Sequence, residues 1–144
     1  MNVCIREFCP DDYSSIAGLV KNELGYPQVD ANKLYARLEA MKADGKYKTF
    51  VAEAEGRVVG FIGIFIGIAY NYDEEVIQIS AMAVLKELQN KGIGSQLIKW
   101  VELFAIANNM HIIKLTSRLH RAEAHAFYES NGYIKKSYGY SKDV

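Results

Sequence analysis

Apolar positions along the chain switch between helical and strand periods, and the switches mark the elements. Val3 to Phe8 reads as a short strand, and Pro10-Asp11-Asp12 then starts a helix with acidic residues where the positive dipole end favours them. This helix is predicted to run to about Glu23. Leu24-Gly25-Tyr26-Pro27 breaks it, and Asp30 caps a second helix in which Leu34, Leu38 and Met41 recur at helical spacing through about Lys42.

After Asp44-Gly45 the period shortens. Tyr47 to Ala54 and Val58 to Tyr70 are strand-like, joined at Glu55-Gly56, and Asn71 to Glu74 turns the chain into a further strand, Glu75 to Val84. The consecutive strands predict antiparallel hairpins. From Gly92 to Asn108 the set Ile93, Leu97, Trp100, Val101 and Phe104 shares one helical face, and Ile112 to Thr116 follows as a short strand. Arg121 to Asn131 reads as a helix closed by Gly132 in the left-handed position, and Tyr133 to Lys142 as a last strand. The order describes an α/β (α+β) single domain over residues 1–144, with helices covering a mixed, mostly antiparallel sheet.

Composition narrows the function classes. A chain of 144 residues suits one domain able to bury a core without metal or disulfide staples. Lys plus Arg number 17 and Asp plus Glu 17, so the long basic field used for nucleic-acid binding is absent. A local anion site is still open. The 2 cysteines, Cys4 and Cys9, have neither zinc nor disulfide-framework spacing and are expected to be reduced, which suits a cytoplasmic protein. The amino-terminal residues lack a signal-peptide apolar run, and Val58 to Tyr70 falls short of the roughly 20 residues a membrane helix needs.

The most informative stretch is Gln89-Asn90-Lys91-Gly92-Ile93-Gly94-Ser95, between a predicted strand and a predicted helix. Its two glycines let backbone N–H groups approach a ligand, and the first helical turn adds unpaired N–H groups and a positive dipole end. A phosphate or pyrophosphate is the natural guest, with Lys91 as a nearby cation; an ordinary glycine-rich helix start is the alternative. The dinucleotide fingerprint fails because Leu97 occupies the third glycine position, and the Gly-Lys-Ser/Thr of a P-loop is missing.

This block, with Ala83-Val84 before it and Leu97-Ile98 behind it, is followed by Thr116-Ser117, Arg121, Ala124-His125, Phe127-Tyr128 and Gly132-Tyr133. In that order and separation the residues resemble the GNAT superfamily of acetyl-CoA-dependent N-acetyltransferases over essentially the whole chain. The resemblance implies a central sheet of six to seven strands flanked by about four helices. Gly25-Tyr26-Pro27, the Arg-x-x-Ala-His-x-Phe-Tyr block and Ser-Tyr-x-x-Ser-Lys further resemble a small-molecule branch that includes aminoalkylphosphonate and aminoglycoside acetyltransferases.

Carried over by position, the family implies that the strand with Met82, Ala83 and Val84 splays and offers backbone groups to the pantetheine arm of acetyl-CoA. The loop Gln89, Asn90, Lys91, Gly92, Ile93, Gly94 and Ser95 would wrap the pyrophosphate, and the amide of Met82 or Val84 would stabilise the oxyanion formed as an amine attacks. Tyr128 matches the general acid aimed at the departing sulfur. Ser117 and His125, the latter on the same helical face as Tyr128, would lie beside the cofactor. No metal is required.

A base is harder to name, because Ile79-Ser80-Ala81-Met82 carries no carboxylate where many relatives place a glutamate. Candidates are Glu75, Asp73 or Glu74, Glu23, or a water chain through Ser80. Glu23, Tyr26, Tyr70 and Tyr72 are candidates for the substrate entrance. His111 and His120 have no metal-ligand spacing. The implied partner is a small-molecule amine, with no nucleic acid and no membrane, and a homodimer is compatible because relatives commonly dimerise. Acetylation of a protein or peptide amine is the alternative within enzymes. A non-catalytic acyl-CoA sensor is the alternative outside them, kept open by the missing strand glutamate.

Overall fold

The computed structural model describes residues 1–119 and 121–144, so His120 lies outside the described residues. These residues group into two compact units, 1–114 and 115–144. Strand β1 is Val3–Glu7, followed by a tight turn at Pro10–Asp12 and helix α1, Tyr13–Gly18. The chain then widens into a π-helical segment, Leu19–Glu23, before helix α2, Ala31–Asp44. Strands β2 (Tyr47–Ala54), β3 (Arg57–Gly67) and β4 (Val76–Val84) precede helix α3 (Ile93–Ala107), strand β5 (Ile113–Leu115) and helix α4 (Ala122–Ser130).

The sheet follows chain order, β1-β2-β3-β4-β5, with the first three pairings antiparallel. A helical crossover, α3, separates β4 from β5, the connection that neighbouring parallel strands require, so the sheet is mixed. Local chemistry explains the joints. Glu55 and Gly56 have φ of 52° and 77°, the paired left-handed conformation whose twist suits a two-residue hairpin between β2 and β3. The Asp30 side chain accepts from the Lys33 backbone N–H at 3.0 Å and caps α2, and Gly45 at φ 81° closes it.

Among the described residues five strands form, fewer than expected, because residues 133–144 join no strand. Tyr133 is half-buried, but Ile134, Tyr138 and Tyr140 are exposed, so the alternation in this segment buries no face. The packed face of α3 also differs. Ile93, Leu97, Ile98, Val101 and Ala105 are buried, whereas Trp100 is half out in solvent. Trp100 and Phe104 instead set their ring edges against Phe50, at centroid distances of 5.9 and 5.7 Å, on the margin of the seam. On the other face, Phe8, Ile16, Leu19, Leu34, Leu38, Val51 and Phe61 form the core between α1, α2 and the sheet.

One buried charge ties β1 to the first helical turn. Asp12 is 4% exposed, accepts from the Cys9 N–H at 2.8 Å and receives two bonds from the Arg6 guanidinium at 2.8 and 3.0 Å. Arg6 also bonds Glu53 on β2 at 2.8 Å. The Arg6 hydrogen bonds hold the Asp12 carboxyl below its ordinary range, outweighing its burial. A depressed folded pKa contributes stability that is present above the unfolded value and is lost as pH falls through the folded one. Asp12→Asn is therefore expected to cost about 2 kcal/mol at pH 7, a partly exposed Arg6 softening the usual penalty for breaking a buried pair. Chemical denaturation of both proteins across pH should show the gap closing below about pH 4. A gap unchanged from pH 7 to 2 would contradict this account.

Candidate active site

The last residues of β4 turn part of their backbone outward. The Leu85 N–H bonds the Val59 carbonyl on β3 at 2.9 Å, and a Cβ placed on Gly60 would come within 2.9 Å of the Ala83 carbonyl. Ala83 and Leu85 thus face β3, and by strand alternation Met82 and Val84 direct their N–H and C=O groups the other way. The Val84 carbonyl agrees with this, since it accepts from the Gln89 side chain at 3.1 Å. Strand β5, 3 residues against the 9 of β4, meets β4 near its start, where the Ile77 N–H bonds Ile112 at 3.0 Å. It is too short to extend to Met82 and Val84.

A register shift in the β3–β4 ladder falls at Ser80: Gly63 pairs with Ala81 and Ile64 with Ile79, leaving Ser80 as the extra, exposed residue. Such a bulge twists a strand and re-aims the residues beyond it. Gly60 fits the same end of the sheet, because the 2.9 Å approach to Ala83 leaves no room there for a side chain.

From Val84 the chain makes a short turn, Lys86–Leu88, and curls through Asn90 at φ 63° to Gly92 at φ 85°. Gly92 is the N-cap residue of α3 and provides no side-chain cap. The first intrahelical bond is Gln96 N–H to the Gly92 carbonyl at 3.0 Å, so the N–H groups of Ile93, Gly94 and Ser95 have no acceptor within the helix. Nothing lies within 4 Å of where a Gly92 Cβ would stand. These features compose an open, positively polarised amide cluster suited to an anion. Exposed Lys91 stands next to it in sequence, whereas the Ile93 side chain is 1% exposed and enters the core, leaving only its amide for a ligand.

Gln89 makes contacts of its own within the fold. Its backbone N–H bonds the Lys86 carbonyl at 3.3 Å, and its side-chain amide reaches Val84 at 3.1 Å and Glu23 Oε2 at 3.4 Å. Gln89 thereby braces the loop, the strand end and the π-helical segment. The sequence signal was available: an amide side chain five residues beyond a strand end can return to it.

Glu75 stands at the other end of β4 from Met82 and Val84. It binds Lys46 Nζ at 2.6 Å just before β4 begins, and Met82 lies seven residues on, roughly 23 Å at about 3.3 Å per residue. Glu75, the base candidate, thus stands in an ion pair at the start of β4. Tyr70 and Tyr72 share this far end of β4 and are likewise separated from the Met82–Val84 edge. Tyr70 is fully exposed, and Tyr72 lies under Lys114 Nζ at 4.9 Å from its ring centroid. Glu74 is held there too, by the His111 backbone N–H at 2.6 Å and Nδ1 at 3.1 Å, contacts that lower its pKa. Tyr26 follows Gly25, at φ 79°, and its N–H returns to Val20 at 3.3 Å, at the exit of the π-helical segment that ends in Glu23.

In residues 115–144, Ser117 lies half-buried between β5 and α4. His125 Nε2 donates to the Arg118 carbonyl at 2.7 Å, which fixes the proton on that nitrogen and ties α4 to the segment before it. Tyr128 packs between Phe127 and Tyr133, with centroids 5.4 and 6.2 Å away. Burial raises its pKa, partly offset by the Arg121 charge, so the phenol keeps its proton through the neutral range. Gly132, at φ 88°, closes the helix as expected.

Comparison with known proteins decides the family. A family model described as an acetyltransferase (GNAT) domain matches residues 45–135. The chain belongs to the GNAT acetyltransferase family. As a member it is an acyltransferase, of the N-acetyltransferase kind. The chain is 29% identical over 147 aligned positions to the aminoalkylphosphonate N-acetyltransferase of Salmonella typhimurium, covering 99% of this chain and 92% of that one. Two crystal structures share the GNAT acetyltransferase fold seen here. One, described as a transcriptional regulator from Bacillus halodurans C-125, has a TM-score of 0.90 and 25% identity and covers 99% of this chain and 100% of that one. The other, a GNAT family acetyltransferase from Staphylococcus aureus, has a TM-score of 0.82 and 26% identity, covering 100% of both chains. Among the described residues, no helix of this acetyltransferase is long and apolar enough to cross a membrane.

Proposed function

We propose that residues 1–144 act as one N-acetyltransferase domain that moves the acetyl group of acetyl-CoA to a primary amine of a small molecule, by direct attack with both substrates bound. The observation that carries this reading is the pairing of two unclaimed sets of backbone N–H groups: those of Ile93, Gly94 and Ser95 around left-handed Gly92, and those of Met82 and Val84 on the outward edge of β4. The first set suits a pyrophosphate. The second suits an extended pantetheine arm and a carbonyl oxygen that gains negative charge.

Acetyl-CoA supplies an already activated thioester, so the chain's own task is alignment and charge stabilisation rather than covalent catalysis. The amide cluster and Lys91 hold the phosphates by local means, which agrees with a chain whose net charge is zero. The Met82 or Val84 N–H polarises the acetyl carbonyl. Tyr128 donates to the departing sulfur; between an ordinary thiol near 8.5 and an ordinary phenol near 10 complete transfer is uphill by about 2 kcal/mol, and burial of Tyr128 steepens it, so a hydrogen bond that strengthens as thiolate forms is the role that fits. The aminoalkylphosphonate relative supports a small, charged amine as acceptor.

Initial rates measured while varying acetyl-CoA and amine together test the mechanism. Intersecting double-reciprocal lines are expected, because both substrates must be bound before transfer. Parallel lines would indicate an acetylated enzyme and would overturn direct attack.

A further inference from the structure

Glu23, a candidate for the base or the substrate entrance, reaches the outward edge of β4 through a second side chain. It is the last residue of the π-helical segment Leu19–Glu23, and its carboxylate lies 3.4 Å from Gln89 Nε2, which in turn lies 3.1 Å from the Val84 carbonyl. One amide group therefore separates a half-buried carboxylate from the outward edge of β4. Two other acidic candidates for a base, Glu74 and Glu75, are engaged with His111 and Lys46 at the far end of that strand.

Resting on the N-acetyltransferase reading, we propose that Glu23 anchors the acceptor as its ammonium form, with Gln89 fixing the carboxylate and the Val84 carbonyl offering a further acceptor. An ammonium has three N–H donors, and a carboxylate beside a backbone carbonyl matches two of them. Anchoring, and not storage of the proton, is the role the chemistry allows. A carboxylate is in general a far weaker base than an alkylamine and pairs with an ammonium without taking its proton. The ammonium loses one proton to water at this solvent-open edge; the nitrogen lone pair then forms the C–N bond, the cationic nitrogen gives its second proton to water, the C–S bond breaks, and the sulfur leaves as thiolate or with a proton from the phenol, which water then restores. Glu23 thereby selects acceptors that are cationic before they react and disfavours neutral amides and alcohols.

The test compares the full chain with Glu23→Gln and Glu23→Asp, using a panel of small alkyl amines and their neutral hydroxyl analogues. For Glu23→Gln, KM for the amine is expected to rise at least 10-fold, with kcat within about threefold and acetyl-CoA affinity by calorimetry unchanged; Glu23→Asp should recover part of the loss. A purely structural Glu23 would move acetyl-CoA affinity or melting temperature along with KM. An unaltered amine KM in Glu23→Gln overturns the anchor. Direct titration of the same amines onto both proteins keeps the anchor testable if no amine is acetylated: weaker binding to Glu23→Gln supports it, equal binding refutes it. Absence of turnover by the unaltered chain counts against the acetyltransferase reading alone.

Discussion

Gly92→Glu is expected to raise the dissociation constant for acetyl-CoA by about 100-fold. Gly92 holds φ at 85°, where a Cβ costs roughly 1–2 kcal/mol, but nothing lies within 4 Å of that Cβ, so the protein itself has room for the side chain. The loss therefore arises mainly from charge. A carboxylate at the head of α3 takes for itself the N–H groups meant for the phosphates and repels them, an effect of about 1–4 kcal/mol per close charge pair between water-like and surface-like screening. Roughly 3 kcal/mol in total corresponds to about two orders of magnitude. Gly92→Ala separates the contributions: it carries the backbone strain without the charge and should lower the melting temperature while changing the dissociation constant only a fewfold. Calorimetry on the three proteins checks both, and equal affinity for Gly92→Glu and the unaltered chain would remove the loop from the cofactor site.

Tyr128→Phe should lower kcat by about 100-fold while leaving acetyl-CoA affinity as it is. The ring is retained, so contacts with Phe127 and Tyr133 survive and only the hydroxyl is lost. General acids contribute about 10²–10⁴-fold. The lower end applies because a thiol near 8.5 is a good leaving group even unprotonated. Burial raises the Tyr128 pKa, so the unaltered enzyme should keep its donor to above pH 10 and lose activity through this group only beyond that. The variant should lack that alkaline limb. Single-turnover rates across pH distinguish the two, and a kcat within threefold of the unaltered enzyme would exclude Tyr128 as the donor.

The elements set by local chemistry were legible in the residues. Strand Tyr47–Ala54, the left-handed pair Glu55-Gly56, the Asp30 cap and the Gly132 stop depend on backbone preferences of the residues concerned, so the chain announces them. The helix-start glycine at 92 belongs to the same class. Features set by long-range packing were not legible. The segment 133–144 alternates like a strand yet forms none, and Trp100 shares a helical face with core residues while sitting at the seam's margin. Glu75, Tyr70 and Tyr72 are turn residues next to a strand in sequence and so stand a full strand away from its other end. The Gln89 brace and the Ser80 bulge arise from pairing across the fold, and no local pattern in Glu75 to Val84 reports either.

The most direct test of the central claim is to mix the chain with acetyl-CoA and a panel of small amines, and separately with lysine-containing peptides, following free thiol together with the mass of the amine. Thiol released in equal amount to an N-acetylated small amine, with slower release on peptides, is the predicted result. Saturable acetyl-CoA binding without thiol release on any amine would contradict it and leave an acyl-CoA-binding protein without transfer.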